Sequence, residues 1–245
     1  MYLGRPGWRD DIERGVELAS SFDATTRILA QVYKYAGGAA LGAVLPDSAD
    51  ISLTSESLNL ARQSGDNTAL AFAYVNQAVC LLHSTEGDRS AGVDALWRGR
   101  EIILREKLTF TLRRLSDLQL AQERLSSGDP DGAIDLAGHV LDEQFASGEM
   151  LYRGPATTVL VEARLSRGTP RDLEAAQHVV ERLASVPTDG GFVPHRLSIL
   201  RSRALLAKAA GAEDEYHDWV LEYRQMSEQC GFDGHIAAAA HMCEG

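Results

Sequence analysis

Proline is scarce in this chain, with seven in 245 residues, so few positions forbid helix continuation. Cysteine is scarcer still: Cys80, Cys230 and Cys243 are odd in number, scattered and lack any Cys-x-x-Cys pair. That excludes a disulfide framework and points to free thiols in a reducing compartment. Positive charge is in deficit, 24 Lys and Arg against 35 Asp and Glu, for a net charge of −11. Direct nucleic-acid binding, which needs clustered Lys and Arg against phosphate, is not expected. No stretch reaches the roughly 20 apolar residues of a membrane span; the longest candidate, Leu70 to Leu82, is broken by Asn76 and Gln77. The opening MYLGRPGWRDDIERG has no apolar core of a secretory signal. Apolar residues at 44% and charged residues at 24% complete the profile of a globular protein, expected to be cytoplasmic with no membrane partner.

Motifs that carry chemistry are missing as well. There is no G-x-x-x-x-G-K-[ST] phosphate loop, and the run Gly37-Gly38-Ala39-Ala40-Leu41-Gly42 is followed by neither Lys nor Ser/Thr. It reads as a tightly packed small-residue helix. No Gly-x-Ser-x-Gly elbow is present, and no histidine has Glu three residues before it. Asp214–His217 comes nearest, inside an acidic run, and Asp10, Glu13 and Glu17 share a face that reads as wetted surface. Cys230, His235, His241 and Cys243 have the atoms for zinc. On a helix, however, His241 falls about 240° around from His235, so the pair diverges. The expectation is no catalytic residue, no cofactor, no metal, and a chain that is not by itself an enzyme.

What the sequence does have is a glycine beat. Gly87, Gly128, Gly168 and Gly211 recur at steps of 41, 40 and 43 residues, and Gly65, Gly148 and Gly231 recur at steps of 83. Helical periodicity fills the intervals. It predicts helices at about 8–21, 23–43, 55–64, 67–83, 89–107, 109–126, 130–147, 155–167, 170–186, 193–210, 213–230 and 234–244. Asp66 is placed to cap the helix that begins at Asn67, and Ser127-Gly128-Asp129-Pro130 is a stop, turn and restart. Pro155 is expected at a first helical position, Pro187 to Gly191 as a loop, and Leu45 to Thr54 as the least regular piece. The first glycine series then separates the two helices, A and B, of a hairpin, and the second marks the ends of B helices. A hairpin of about 40 residues cannot bury its apolar face alone and must stack on its neighbours. The expectation is one all-α solenoid domain over 1–245, of about six hairpins. Its first helix begins so close to the N-terminus that either a piece of a longer polypeptide or a relative that lost its upstream domains is expected.

The segment Leu120-Ala121, Gly128-Asp129-Pro130-Asp131-Gly132-Ala133-Ile134 resembles the tetratricopeptide pattern: a small residue on helix A, a Gly-Asp turn, and Ala early in helix B. Other units depart from it, with Gly92 or Tyr216 where Ala belongs and no closing proline. Over roughly 140–245, FASGEMLYRGPATTVLVEARLSRGTPRDLEAAQHVVERLASVPTDGGFV and LRSRALLAKAAGAEDEYHDWVLEYRQMSEQCGFDGHIAAAA are similar to the C-terminal helical-repeat region of actinobacterial, especially mycobacterial, multidomain signalling proteins. In those proteins the region accompanies a class III adenylate cyclase domain and an ATPase module; some relatives are LuxR-class regulators. DDIERGVELA through SGDNTALAFAYVNQAV fits the same region more loosely. The resemblance implies a tetratricopeptide-like superhelix that senses a protein partner or effector and relays the result to catalytic domains elsewhere.

Charge placement refines that expectation. In the C-terminal half the A helices are basic: 109–126 is net +1, 153–168 net +2, and 193–210 net +4. The B helices 130–147 and 213–230 are net −4 and −5. By analogy with tetratricopeptide solenoids, whose A helices line the concave groove, Arg113, Arg164, Arg196 and Arg203 are the expected contacts to a protein or acidic peptide partner. Arg196 and Arg203, seven apart, share a stripe. The competing expectation is that these arginines pair with acids of B helices in neighbouring units. Two further roles remain open: sensing of a small apolar or acidic metabolite, and homo-oligomerisation through the alanine-rich last helix.

Overall fold

A computed structural model of the chain describes residues 1–108, 110–188 and 191–244. Among the described residues it contains twelve α-helices, one turn of 3-10 helix and no strand. They are α1 (Trp8–Ala19), α2 (Ala24–Lys34), α3 (Ser48–Ser64), α4 (Asn67–His83), α5 (Arg89–Arg105), α6 (Phe110–Ser126), α7 (Pro130–Ser147), α8 (Arg153–Arg167), α9 (Asp172–Ala184), α10 (Val193–Ala209), α11 (Glu213–Cys230) and α12 (Asp233–Glu244). The all-helical expectation holds.

Aspartates set many of the starts. Asp23, Asp47, Asp66, Asp88 and Asp129 each accept from a backbone N–H in the first turn of the helix that follows, each cap being worth about 1 kcal/mol. Both glycine series mark helix ends. Gly65, Gly148 and Gly231 terminate α3, α7 and α11 with φ of 71°, 77° and 64°. This left-handed backbone satisfies the last carbonyls, and glycine alone enters it without a Cβ penalty. Gly87 departs from its series, since its φ is ordinary. It is glycine because a Cβ there would run into the carbonyl of Leu81.

Three expectations are corrected. The helix predicted over 23–43 stops at Lys34; Tyr35 to Val44 is a buried turn around the 3-10 piece Ala39–Leu41. A Cβ at Gly38 would collide with the Lys34 carbonyl, and Gly42 is left-handed at φ 69°, so the small-residue run breaks the helix it was expected to extend. Of the piece 45–54, expected to be the least regular, only 45–47 lies outside a helix. Asp47 and Asp50 form a reciprocal capping box, and α3 starts at Ser48. Its Ser52, Thr54 and Ser55 hydroxyls bond back to carbonyls one turn earlier, so polar side chains that compete for the backbone elsewhere are satisfied within the helix. Finally, α8 begins at Arg153, which makes Pro155 its third residue; the first-turn N–H groups have no intrahelical partner, so proline is tolerated there too. Of the expected loop, Asp189 and Gly190 lie outside the described residues, as does Thr109 ahead of α6.

The helices gather into two compact units: Pro6–Gln119 with Met1, and Leu120–Gly245 with Tyr2–Arg5. In the first, α4 lies at the centre, packed against α2, α3 and α5. Of its interior polar residues, Asn76 donates to the Ile28 carbonyl while its Oδ1 is buried without a hydrogen bond, and Gln77 donates to Ser55. In the second, α8 packs against α7, α9 and α10, and α11 against α10 and α12. All these extensive contacts join helices adjacent or next-but-one in chain order. Small residues bring the backbones together. Ala121 and Ala133 are fully buried, and Gly92 does the same work as the expected Ala, because a Cβ there would sit 2.9 Å from the Leu82 side chain. Tyr216, the other departure, is buried and donates its hydroxyl to the Met242 carbonyl at 2.6 Å, tying α11 to α12.

Candidate functional site

The four arginines expected to receive a partner do not share one environment. Arg113 belongs to the first unit; its Nη1 lies 3.4 Å from Asp117 on its own helix. The same carboxylate takes the Nε of Arg100 at 2.6 Å. The other three lie in the second unit. Arg164 approaches Asp172 only to 3.8 Å, since that carboxylate is held by Arg167 at 2.6 Å and by the backbone and hydroxyl of Thr169. Together Arg167 and Thr169 hold the Asp172 carboxyl well below the usual range. Arg196 pairs with Glu222 at 3.2 Å, and the Arg203 guanidinium lies 4.9 Å from the Trp219 ring centre. The shared stripe of Arg196 and Arg203 therefore meets α11, three residues apart on that helix. For Arg164, Arg196 and Arg203 these contacts come from the next helix in chain order.

A second group, which spacing alone did not single out, lies where α7 meets α8. Arg153 is the first residue of α8 and only 5% exposed. Its Nη2 donates to the Gln144 carbonyl at 3.0 Å, and its guanidinium carbon lies 4.7 Å from the Phe145 ring centre. Arg182 of α9 approaches that ring to 3.9 Å and is itself paired with Asp142 at 2.6 Å. Buried Arg153 thus sits beside another cation. Burial first, then Arg182, lowers its proton affinity, against a partial counter-effect from Glu149. His195, near the start of α10, is buried too; burial and Arg153 push its pKa down, opposed by a bond to the Leu183 backbone.

Several polar atoms of this group have no partner. The Nε of Arg153, both amide atoms of Gln144 and the hydroxyl of Thr157 are buried without a hydrogen bond. Gln144 and Thr157 are fully enclosed. Arg153 and Thr157 are four residues apart on one face of α8, and the short connection from α7 sets Gln144 alongside them. The only hint in the sequence was a basic residue placed immediately before Gly154-Pro155, in a stretch otherwise of Thr, Val, Leu and Ala.

The residues with zinc-binding atoms are otherwise employed. His235 Nδ1 is 2.6 Å from the Tyr223 hydroxyl and its ring stacks on Phe232. A Cβ on Gly4 would lie 2.8 Å from the Cys230 sulfur, and Cys243 is exposed. Among the described residues no three His, Cys, Asp or Glu side chains converge as a metal site, and no helix is long and apolar enough to cross a membrane. Compared with protein-family models, curated proteins and solved structures, the chain matches none of them.

Proposed function

We propose that this chain is a non-catalytic interaction and regulatory module, a tetratricopeptide-like superhelix that binds a protein or acidic peptide partner along its A helices. The observation that carries the reading is the packing order. The extensive contacts described join helices one or two places apart along the chain, among them α2 with α4 and α8 with α10 as successive A helices. An array built that way leaves one side of every A helix for other molecules. The glycine beat at helix ends and the buried Ala and Gly residues at crossings support the same reading. The similarity to actinobacterial signalling proteins supplies the context: a cyclase, ATPase or LuxR-class regulator whose activity the module would govern.

Arg196 and Arg203 are the contacts to test. Their side chains meet α11 through one exposed ion pair and one ring contact, both weak enough for an acidic partner to displace. The test is a fluorescence-anisotropy titration with a labelled glutamate-rich peptide. Replacing both arginines by alanine is expected to weaken binding about tenfold or more. Equal affinity of the double variant and the native chain would reject the assignment.

A further inference from the structure

Two arginines from different helices of the first unit meet at a single oxygen, the Tyr74 hydroxyl of α4. Tyr74 is buried against α5, where a Cβ built on Gly99 would lie 3.1 Å from its own Cβ. Arg62, in the last turn of α3, brings its Nη2 to 3.4 Å from the hydroxyl and its guanidinium carbon to 5.5 Å from the ring centre. Arg98, the neighbour of Gly99 on α5, donates to the same hydroxyl. Both arginines are exposed. Their remaining partners are few: Arg62 Nη1 reaches Asn59 Oδ1 at 3.3 Å, and Asp94, one turn before Arg98, attracts it without an ion pair. Among the described residues neither guanidinium is salt-bridged to a carboxylate, and the Tyr74 O–H donates to nothing. Burial works against ionisation of that hydroxyl, yet the two cations outweigh it and lower its pKa, a mark of the positive field at this point.

We propose that Arg62, Arg98 and Tyr74 form a binding site for a phosphate monoester. The three side chains offer donors: the spare N–H groups of two guanidinium forks and one phenolic O–H. Their ligand is therefore a cluster of acceptors. Two cations close enough to share one oxygen repel each other, and an anion of two charges answers both, whereas a carboxylate or a phosphate diester answers one. A monoester carries close to two charges above its second pKa of about 6 and presents three free oxygens. Each fork takes oxygens of that group and the Tyr74 O–H takes another. Because both arginines are exposed, the ester side of the ligand points to solvent, so a small molecule and a phosphorylated side chain of a partner share the chemistry. The site lies on the B helices α3 and α5 and on α4 between them, and goes beyond the A-helix contacts proposed above.

The test uses neither Arg196 nor Arg203, so the two readings fail separately. Calorimetric titration of the full chain at about pH 7.5 and constant ionic strength would compare glycerol phosphate with dimethyl phosphate and acetate. Glycerol phosphate is expected to bind saturably and about tenfold tighter than the other two, which lack its second charge. Arg62→Gln combined with Arg98→Gln, at exposed positions that folding tolerates, should lower that affinity about tenfold or more. The paired lysine variant keeps the charge, loses the forks and should fall between. Tyr74→Phe, which removes only the hydroxyl, should weaken binding about threefold to tenfold. No saturable binding of glycerol phosphate, or binding undiminished in the paired glutamine variant, would overturn the site. Dimethyl phosphate or acetate as tight as glycerol phosphate would overturn the ligand class. A labelled phosphoserine peptide, followed by anisotropy, separates the sources. Affinity well above that of glycerol phosphate and lost in the paired glutamine variant supports a phosphorylated partner; affinity no higher supports a small phosphate ester.

Discussion

Two buried cations, Lys34 in the first unit and Arg153 in the second, are treated oppositely. In the first unit the Lys34 ammonium is enclosed between Asp50 at 2.7 Å and Glu13 at 2.8 Å, and the buried Tyr35 hydroxyl adds a bond to Asp50 at 3.0 Å. Burial works against this charge, yet the two carboxylates outweigh it and raise the Lys34 pKa. In the second unit Arg153 has a carbonyl, a ring and another arginine for neighbours, and its pKa falls. The same fold class thus shows a buried charge that is closed and one that is open. A closed charge fixes structure: Lys34 ends α2, Asp50 caps α3, and their bond holds the glycine-rich turn between them.

Removing a countercharge should separate the two most strongly. Asp50→Ala strips Lys34 and Tyr35 of a shared partner and undoes the capping box of α3. It is expected to cost about 3–5 kcal/mol in urea unfolding. Arg153→Met removes a buried charge that Arg182 opposes and Glu149 offsets only in part, and is expected to fall within about 1 kcal/mol of the native chain, or above it. A loss as large as that of Asp50→Ala would erase the distinction. Next in size is the pH response. Lys34 binds its proton more tightly folded than unfolded, so its stabilisation is complete below the unfolded value of about 10.4 and is lost as pH rises through the folded one. Unfolding midpoints between pH 9 and 11 should fall more steeply for the native chain than for Lys34→Met. The smallest effect concerns His195. Unfolded, it takes a proton below about pH 6.5, whereas folded it resists, so acidification through that range weakens the fold. Because Arg153 contributes to that resistance after burial, Arg153→Met should move the His195 titration upward in NMR. An unmoved pKa would place the two groups outside each other's field.

Much of the fold was legible because its punctuation is local. An Asp one residue before a periodic stretch, or a glycine just past one, acts through bonds within a single turn, and Asp66, Asp129, Gly148 and Gly231 behave as their positions predict. The misread pieces are those where local preference loses to packing. Residues 37–42 look helix-compatible, but the collision of a Cβ at Gly38 with the Lys34 carbonyl is a property of a turn no periodicity encodes. Residues 48–55 look loop-like by composition, and their hydroxyls are satisfied by the helix itself. The unfinished cluster was the least visible part. What matters about Arg153 is that the Gln144 carbonyl and the Phe145 ring lie against it beside Arg182, and the packing of α7, α8 and α9 decides that. The arginine stripe was legible as a stripe; that Trp219 and Glu222 face it depends on how α10 and α11 pack.

One short segment carries a consequence for biogenesis. Residues 2–5 fold with the second unit: the Tyr2 carbonyl accepts from the Val193 N–H at 2.9 Å, and Gly4 packs against Val193 and Cys230. Partners about 190 residues apart along the chain are joined there, whereas the helices between them meet only near neighbours. On the ribosome the hairpins can form as they emerge, while residues 2–5 must wait until the segments carrying Val193 and Cys230 are out before they find their place. The seating of that segment reports that the second unit has closed.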